Sequence, residues 1–467
     1  MSIKLSEFQV NHDDIFACDK LGREAEVKNI AGLLINIPGP LTFAISSPWG
    51  TGKTSFSKLL HAHLLSQGHR AIYFNAWATD FADDPLTAFL GEMNEHLSSF
   101  LQGDQQKSEA WAKAKETGAY LARKVLPVAL NIATAGILNI DERIEDKISE
   151  LMGGVTEDAI SEYTKDKKQI QQFRENISEL ASGEPKNSIY IFIDELDRCR
   201  PIYAVELLER IKHLFDVPGI TFVLSMDKGQ LAHSICGLYG NNFDGNGYLR
   251  RFIDVEYRLK PVKASLYAEH IFEATGLSAI FSKRQDQSRS FQYEKTEILR
   301  VLELLDKAHS LSLRDLEQYI ARLRLIYYAV QDGYHVYPYI TAFIVYLQMY
   351  KPAALRDRTP NEYRQSLRRE LVSIAEQAGD RYDRTVAIIE AHIAMLLIDE
   401  EWEVDQSFMA SHRKQEVDQT GTPEEQEYSR NVLQYIQYIH DPRSRGISFN
   451  YVLNKVSMIE QFSFPED

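Results

Sequence analysis

Apolar runs and amphipathic stretches alternate along the first 80 residues of this chain. The short apolar runs LTFAISS at 41–47 and AIYFNAW at 71–77 are typical of buried strands. REAEVKNIAGLLINI at 23–37 and TSFSKLLHAHLLSQ at 54–67 carry apolar residues at helical spacing. Buried strands that alternate with helices predict an α/β fold with a parallel sheet covered on both faces.

The pattern changes after about residue 85. Charged helical segments dominate 85–185 and predict a helical insertion, after which strand patterns return in SIYIFIDEL at 188–196 and GITFVLSMD at 219–227. Beyond Pro261 the patterns are helical. We therefore predict an α/β domain over 1–260, a helical lid over 261–350 and a C-terminal helical region over 351–467.

Composition narrows the class of protein. The 467 residues include 44% hydrophobic residues and three widely separated cysteines, which favours a cytoplasmic protein without disulfides or a zinc site. The formal charge of −15 does not favour nucleic acid as a partner, although a local basic patch would not be visible in this sum.

One apolar stretch, VLPVALNIATAGILNI at 125–140, is the best candidate for a membrane contact. It is shorter than the roughly 20 residues that a bilayer-crossing helix needs. We therefore predict no transmembrane span, and either a buried helix or a peripheral membrane contact at this stretch.

The segment that follows the first predicted strand has the composition of a phosphate-binding loop. Glycines allow the backbone amides of such a loop to converge on phosphate oxygens, and the next helix presents its positive end to them. Lys53 would reach the β- and γ-phosphates, and the Thr54 hydroxyl would bind Mg²⁺. The predicted nucleotide-binding residues here are Ser47, Pro48, Trp49, Gly50, Thr51, Gly52, Lys53, Thr54 and Ser55.

Two adjacent carboxylates end the strand pattern IYIFIDEL. Asp194 is the predicted metal residue, because an acidic side chain at the edge of a strand can hold the water shell of Mg²⁺. Glu195 can orient and deprotonate an attacking water molecule. A solvated acidic loop is the competing interpretation, and the presence of the phosphate-loop pattern makes it the weaker one.

Together these segments resemble the KAP-type P-loop NTPases of the AAA+/STAND-like branch. The segments that carry the resemblance are SPWGTGKTSF at 47–56, FNAW at 74–77, FIDELDRCRP at 192–201, FVLSMD at 222–227 and YLRRFIDVEYRLKP at 248–261. The resemblance implies a P-loop NTPase core, ATP and Mg²⁺ as cofactors, and a role in phage exclusion. It differs at Ser47, where the family has glycine, and in lacking the paired membrane helices of many members.

The resemblance also implies roles for polar residues at strand ends. Asn75 would hydrogen-bond the attacking water, or form a turn. Asp227 would sense the γ-phosphate, or cap the next helix. For Trp77, a position capping the core is the favoured interpretation.

A guanidinium that stabilises the transferred phosphoryl group would complete the site. Arg198, Arg250 and Arg251 are candidates, with Arg198 and Arg251 preferred, and a surface ion pair is the alternative for each; for Arg198 the partner would be Asp197. Arg314 resembles a lid arginine that reports the γ-phosphate, or it pairs with Glu317 on its own helix.

The preferred hypothesis is an ATP hydrolase that acts as a nucleotide-driven switch, in a homo-oligomer or with an effector protein. An ATP-binding scaffold with little turnover is the main alternative. A nucleic-acid motor and a small-molecule kinase are further classes that the sequence does not favour.

Overall fold

A computed structural model of the chain describes residues 8–124 apart from 12 and 38, and 157–182, 188–331, 334–356, 360–395, 406–417, 422–440, 455–456 and 458. The described chain forms two compact units, Phe8–Pro261 and Val262–Asp467. The stretch 125–140 lies outside the described residues. The predicted division of the second unit into a lid over 261–350 and a C-terminal region over 351–467 stays a prediction.

The first unit is built on a five-stranded sheet in which every neighbouring pair is parallel, in the order β2-β3-β4-β1-β5. The strands are β1 Leu41–Ser46, β2 Arg70–Asn75, β3 Ile189–Asp194, β4 Ile220–Met226 and β5 Val255–Arg258. All residues of β1, β3 and β4 are buried, as expected for strands covered on both faces. The predicted parallel α/β core is thus confirmed.

The register of the sheet brings the polar strand ends to one edge. Asn75 pairs with Asp194, which pairs with Ser225 on its other side. Ser46 pairs with Met226. Because ligands of open parallel sheets bind beyond the carboxyl ends of the strands, this edge is where a site is expected.

Eight helices of the first unit are described. They are α1 Glu24–Asn36, α2 Lys53–Ser66, α3 Pro85–Phe100, α4 Gln105–Lys124, α5 Glu157–Ala181, α6 Pro201–Leu214, α7 Lys228–Tyr239 and α8 Gly245–Leu249. α1 and α2 follow the two N-terminal helical patterns. The described parts of the predicted insertion are helical, as α3 to α5.

The helices of the predicted insertion contribute to the core of the sheet. Phe89 on α3 packs edge to face against Phe74 of β2 and Phe215, with ring centroids 5.3 and 5.2 Å apart. Phe173 on α5 contacts the same Phe215 ring at 5.2 Å. All four rings are buried, so α3 and α5 cover this face of the sheet.

The described part of the second unit contains helices and no strand. Its helices are α9 Ala264–Ala274, α10 Leu277–Gln287, α11 Glu294–His309, α12 Leu313–Ala329, α13 Pro338–Tyr350, α14 Pro360–Ala378, α15 Arg384–Met395, α16 Gln406–Val417 and α17 Pro423–His440. Among the described helices, none combines the length and apolarity that a bilayer crossing requires.

Candidate nucleotide-binding site

The loop between β1 and α2 has the backbone of an anion-binding turn. Gly50 and Gly52 have φ angles of +70° and +86°, which side chains other than glycine rarely adopt. Ser47 is not among the residues with positive φ, so a glycine is not required there and serine fits without strain. The Thr51 hydroxyl donates to the Pro48 carbonyl at 2.8 Å and closes the turn.

Lys53 opens α2 and folds back over this loop. Its Nζ donates to the carbonyl oxygens of Ser47 at 2.6 Å and Pro48 at 3.0 Å. Burial lowers the pKa of Lys53, against the attraction of Asp197, Asp227 and Asp194. The result is a partly desolvated ammonium group that a phosphate would stabilise.

Asp194 is the last residue of β3 and is only 1% exposed. The Tyr73 hydroxyl donates to its Oδ2 at 2.5 Å, and the Glu195 backbone N–H donates to its Oδ1 at 2.9 Å. A carboxylate has about four acceptor positions, so these two bonds orient it and leave capacity for further donors. It is therefore a fixed anion at the carboxyl edge of the sheet.

The donor set fits a magnesium ion held in the way that P-loop sites hold it. Mg²⁺ keeps most of its water and takes one or two protein oxygens plus phosphate oxygens. Asp194 and the Thr54 hydroxyl in the first turn of α2 are oxygen donors of this kind. Within the described ranges, no group of three or more His, Cys, Asp or Glu side chains forms a cage for a metal.

Glu195 is held in an unusual conformation beside Asp194. Its φ of +61° is left-handed, which is uncommon for a residue with a side chain and is found at functional sites. Asn75 Nδ2 donates to its Oε2 at 3.0 Å, and Arg198 Nη1 lies 3.1 Å from its Oε1. Both carboxylate oxygens therefore have a partner.

Asn75 and Arg198 both contact Glu195, and each has a second contact nearby. Asn75 also accepts the Ala78 backbone N–H at 3.0 Å, so it bonds Glu195 and shapes the turn after β2. Arg198 pairs with Glu195 instead of Asp197. Its guanidinium lies 5.4 Å from the centre of the Trp77 ring, which is 53% exposed; the expectation that Trp77 caps the core was wrong.

A further contact joins the phosphate loop to the segment after β3. Trp49 Nε1 donates to Oδ2 of Asp197 at 2.5 Å. Asp197 is 7% exposed, whereas Trp49 is 45% exposed. Sequence reasoning gave Asp197 no role in the site, since nothing in the local pattern points to a partner 148 residues away.

The other predicted residues have local contacts. Asp227 caps α7, accepting the N–H groups of Gly229 at 3.0 Å and Gln230 at 3.2 Å. The exposed Arg251 lies over the Tyr248 ring at 5.6 Å.

Arg250 pairs with Asp244 at 3.6 Å, and both side chains are well exposed. Arg314 is exposed on α12. Burial raises the pKa of Glu317, and the hydrogen bond from Tyr267 and the charge of Arg314 oppose this rise. Ser55 lies half-buried in the first turn of α2. The functional roles of all these residues stay predictions.

Comparison with known proteins identifies the family. A family model described as KAP family P-loop domain matches residues 23–330. The Phage T7 exclusion protein of Escherichia coli (strain K12) is 22% identical over 256 residues. This match covers 52% of the chain and only 33% of the relative's length.

Two solved structures are similar at low scores. The ORC2 protein of Aeropyrum pernix, in ADPNP–ADP complexes, matches at 12% identity and a TM-score of 0.30, over 76% of this chain and 86% of that one. The AMPPCP-bound DnaA from Aquifex aeolicus matches at 13% identity and a TM-score of 0.26, over 97% and 94% of the two chains.

Proposed function

Because this chain belongs to the KAP family of P-loop NTPases, we propose that it is a magnesium-dependent ATP hydrolase whose nucleotide state switches its conformation. The observation that carries the proposal is the position of Glu195. It directly follows the buried Asp194, and Asn75 and Arg198 hold its two carboxylate oxygens. A base beside a metal-binding carboxylate is suited to the attack of water on the γ-phosphate and cleavage of the β–γ phosphoanhydride bond.

The proposal assigns a separate task to each part of the site. The amides of the loop and Lys53 bind the phosphates, and Asp194 and Thr54 hold the magnesium ion. When bound, the ion neutralises charge that develops between the β- and γ-phosphates. Glu195 orients the water molecule and takes its proton.

The contacts of Glu195 suggest how hydrolysis is restrained before the site is complete. While Asn75 and Arg198 each bond one of its oxygens, they fix the direction of the carboxylate and compete with a water molecule for it. We propose that closing the site on ATP transfers Arg198 from Glu195 to the γ-phosphate. The same transfer would tell the rest of the protein which nucleotide is bound.

The Glu195→Gln variant tests the hydrolase. Phosphate release from ATP and Mg²⁺ is expected to fall at least about 100-fold, because general-base catalysis contributes a factor of this order. The dissociation constant for ATP, measured by calorimetry, is expected to stay within about threefold, since the loop and Lys53 are intact. Glu209→Gln is the matched control, because Glu209 accepts the Tyr248 hydroxyl at 2.9 Å and lies on α6.

The main rival is an ATP-binding scaffold. Tight ATP binding by the parent protein without phosphate release at any magnesium concentration would favour the scaffold and refute the hydrolase. Parallel titrations with ATP and GTP determine which of the two nucleotides the protein prefers. Mass measurements with and without ATP determine whether nucleotide drives the formation of a homo-oligomer or an effector complex.

The biological proposal is exclusion of phage in the bacterial cytoplasm. It is supported by the likeness to the Phage T7 exclusion protein over one third of that protein's length. A bacterial host that expresses the chain is expected to plate phage less efficiently than one that expresses the Lys53→Met variant. Equal plating across a panel of phages would remove this part of the proposal.

A further inference from the structure

Trp49 and Asp197 form a direct side-chain contact between the phosphate loop and the segment that carries Glu195. The indole N–H of Trp49 donates to a carboxylate oxygen of Asp197. Asp197 lies two residues after Glu195 on the 3₁₀ turn Leu196–Arg198. The hydrogen bond therefore ties the loop that would bind phosphate to the turn that holds the proposed base.

The contact is stronger than an ordinary surface hydrogen bond. Asp197 is buried, and a buried carboxylate needs hydrogen-bond donors to offset its lost hydration. The Trp49 N–H is the side-chain donor that the described structure provides for it. By contrast, Trp49 is 45% exposed, so burial holds this side chain less firmly than it holds Asp197.

We propose that Trp49 and Asp197 are a pair of positioning residues that transmits occupation of the phosphate loop to Glu195. This inference deepens the proposed function and rests on it for its effect on catalysis. The hydrogen bond joins two segments of the chain itself, so the coupling can be measured without hydrolysis. Neither residue needs to touch the nucleotide.

Two substitutions separate the hydrogen bond from the charge. Trp49→Phe keeps an aromatic ring and removes the donor. Asp197→Asn keeps an acceptor oxygen and removes the charge. If the hydrogen bond couples the two segments, Trp49→Phe breaks the coupling and Asp197→Asn preserves it. If only the charge matters, Asp197→Asn breaks the coupling and Trp49→Phe preserves it.

Hydrogen–deuterium exchange is the measurement that does not depend on hydrolysis. In ligand-free Trp49→Phe, amides in both 47–54 and 195–199 are expected to exchange faster than in the parent. Mg·ADP is expected to slow exchange in both segments of the parent, and to slow exchange in 195–199 of the variant much less than in the parent. Faster exchange confined to 47–54, with parent-like protection of 195–199 by Mg·ADP, would overturn the proposal.

Trp77→Phe is the matched control for exchange. Trp77 is also an exposed tryptophan beside the site, and its ring lies under the Arg198 guanidinium, a contact that phenylalanine can retain. This variant is expected to leave exchange in 47–54 unchanged. A comparable acceleration there would mean that any tryptophan substitution loosens the site.

Kinetics adds a second readout. Trp49→Phe is expected to lower kcat about tenfold, which is the order expected for loss of a hydrogen bond to a charged group, with the Mg·ADP dissociation constant within about threefold. Asp197→Ala should have the same effect, and the double variant should be no worse than either single one. Additive losses would contradict a shared role.

The outcomes distinguish this inference from the proposed function. If the parent protein binds nucleotide without hydrolysing it, the hydrolase proposal fails while the exchange experiment still decides the coupling. If the parent hydrolyses ATP and Trp49→Phe matches it in kcat and in exchange, the coupling is refuted and the hydrolase proposal stands. Should Trp49→Phe not fold, Asp197→Ala carries both measurements.

Discussion

Each of the two units contains a desolvated cation, Lys53 or Arg284, and the two cations are held in different ways. In the sheet unit, Lys53 is close to three carboxylates but donates to two backbone carbonyls, and no ion pair with it occurs in the described chain. In the helical unit, Arg284 and Glu294 are 3% and 1% exposed and form two hydrogen bonds of 2.7 and 2.8 Å.

The surroundings of Arg284 complete this contrast. Its guanidinium also donates to the Tyr334 carbonyl and lies 4.5 Å from the centre of the Phe291 ring. Burial raises the pKa of Glu294, which the bond to Arg284 opposes. Such a pair has little capacity left for a ligand, whereas the unpaired Lys53 is suited to one.

The largest effect is expected from breaking the buried pair. Arg284→Met should lower the free energy of unfolding by about 3–5 kcal/mol, because it leaves Glu294 buried without its cation. Denaturant unfolding measures this loss. Arg381→Met is the control in the same unit, since its contact with Glu376 is 4.0 Å long and exposed.

The double variant Arg284→Met/Glu294→Met sharpens this test. Removing both charges is expected to restore part of the lost stability, since no unpaired charge remains. A single Arg284→Met variant as stable as the parent would show that the pair does not stabilise the helical unit.

The second-largest effect is expected in ATP binding and not in the free energy of unfolding. Lys53→Met should weaken ATP binding at least about 100-fold, or about 2.7 kcal/mol, since the phosphates lose a desolvated cation. The unfolding free energy should not fall, because burial disfavours the charged lysine in the ligand-free protein. Calorimetry and denaturant unfolding measure the two quantities.

Lys58 provides the control on the same helix, because its Nζ contacts the Phe8 carbonyl at 3.4 Å. Lys58→Met is expected to bind ATP like the parent. If Lys53→Met lost as much unfolding free energy as Arg284→Met, the two cations would not differ in their contribution to stability.

The last effect is spread over several pH units and concerns Glu297, one turn after Glu294 on α11. Burial, with a contribution from Glu294, raises its pKa to about 7. The unfolded chain loses this proton at about pH 4.3, so stability should decline as pH rises from about 4 to 7 and then level off. The expected decline is about 1 kcal/mol for each pH unit between these two values, and unfolding at several pH values measures it.

Glu297→Gln should remove this part of the pH dependence and raise stability at pH 8, because no desolvated carboxylate has to ionise. Glu303 is exposed on the same helix and provides the control. The unfolding free energy of Glu303→Gln is expected to depend on pH as that of the parent does. An unchanged slope in Glu297→Gln would assign the pH dependence to other groups.

The phosphate loop could be predicted from the sequence because its bonds are local. Gly50 and Gly52 have the backbone angles that only glycine adopts readily, and Lys53 bonds carbonyls within six residues. The parallel sheet could also be predicted, since buried strands between helices allow few other arrangements. These features follow from interactions between near neighbours in the chain.

The contacts of Glu195 with Asn75 and of Asp197 with Trp49 could not be predicted, because they join distant segments. Asn75 is 120 residues from Glu195, and Trp49 is 148 residues from Asp197. Trp77 was misjudged because an aromatic residue after a buried strand is usually buried too. Here the strand ends at Asn75, and Trp77 begins a 3₁₀ turn that leaves its ring exposed.

The ring contacts among Phe74, Phe89, Phe173 and Phe215 limit how far the protein can be shortened. Excising α3 to α5 to obtain a minimal catalytic domain would leave Phe74 and Phe215 facing water, with Phe74 next to Asn75 in β2. Such a truncated protein should aggregate or lose its sheet. α3 and α5 are thus part of the scaffold of the sheet and not a removable attachment.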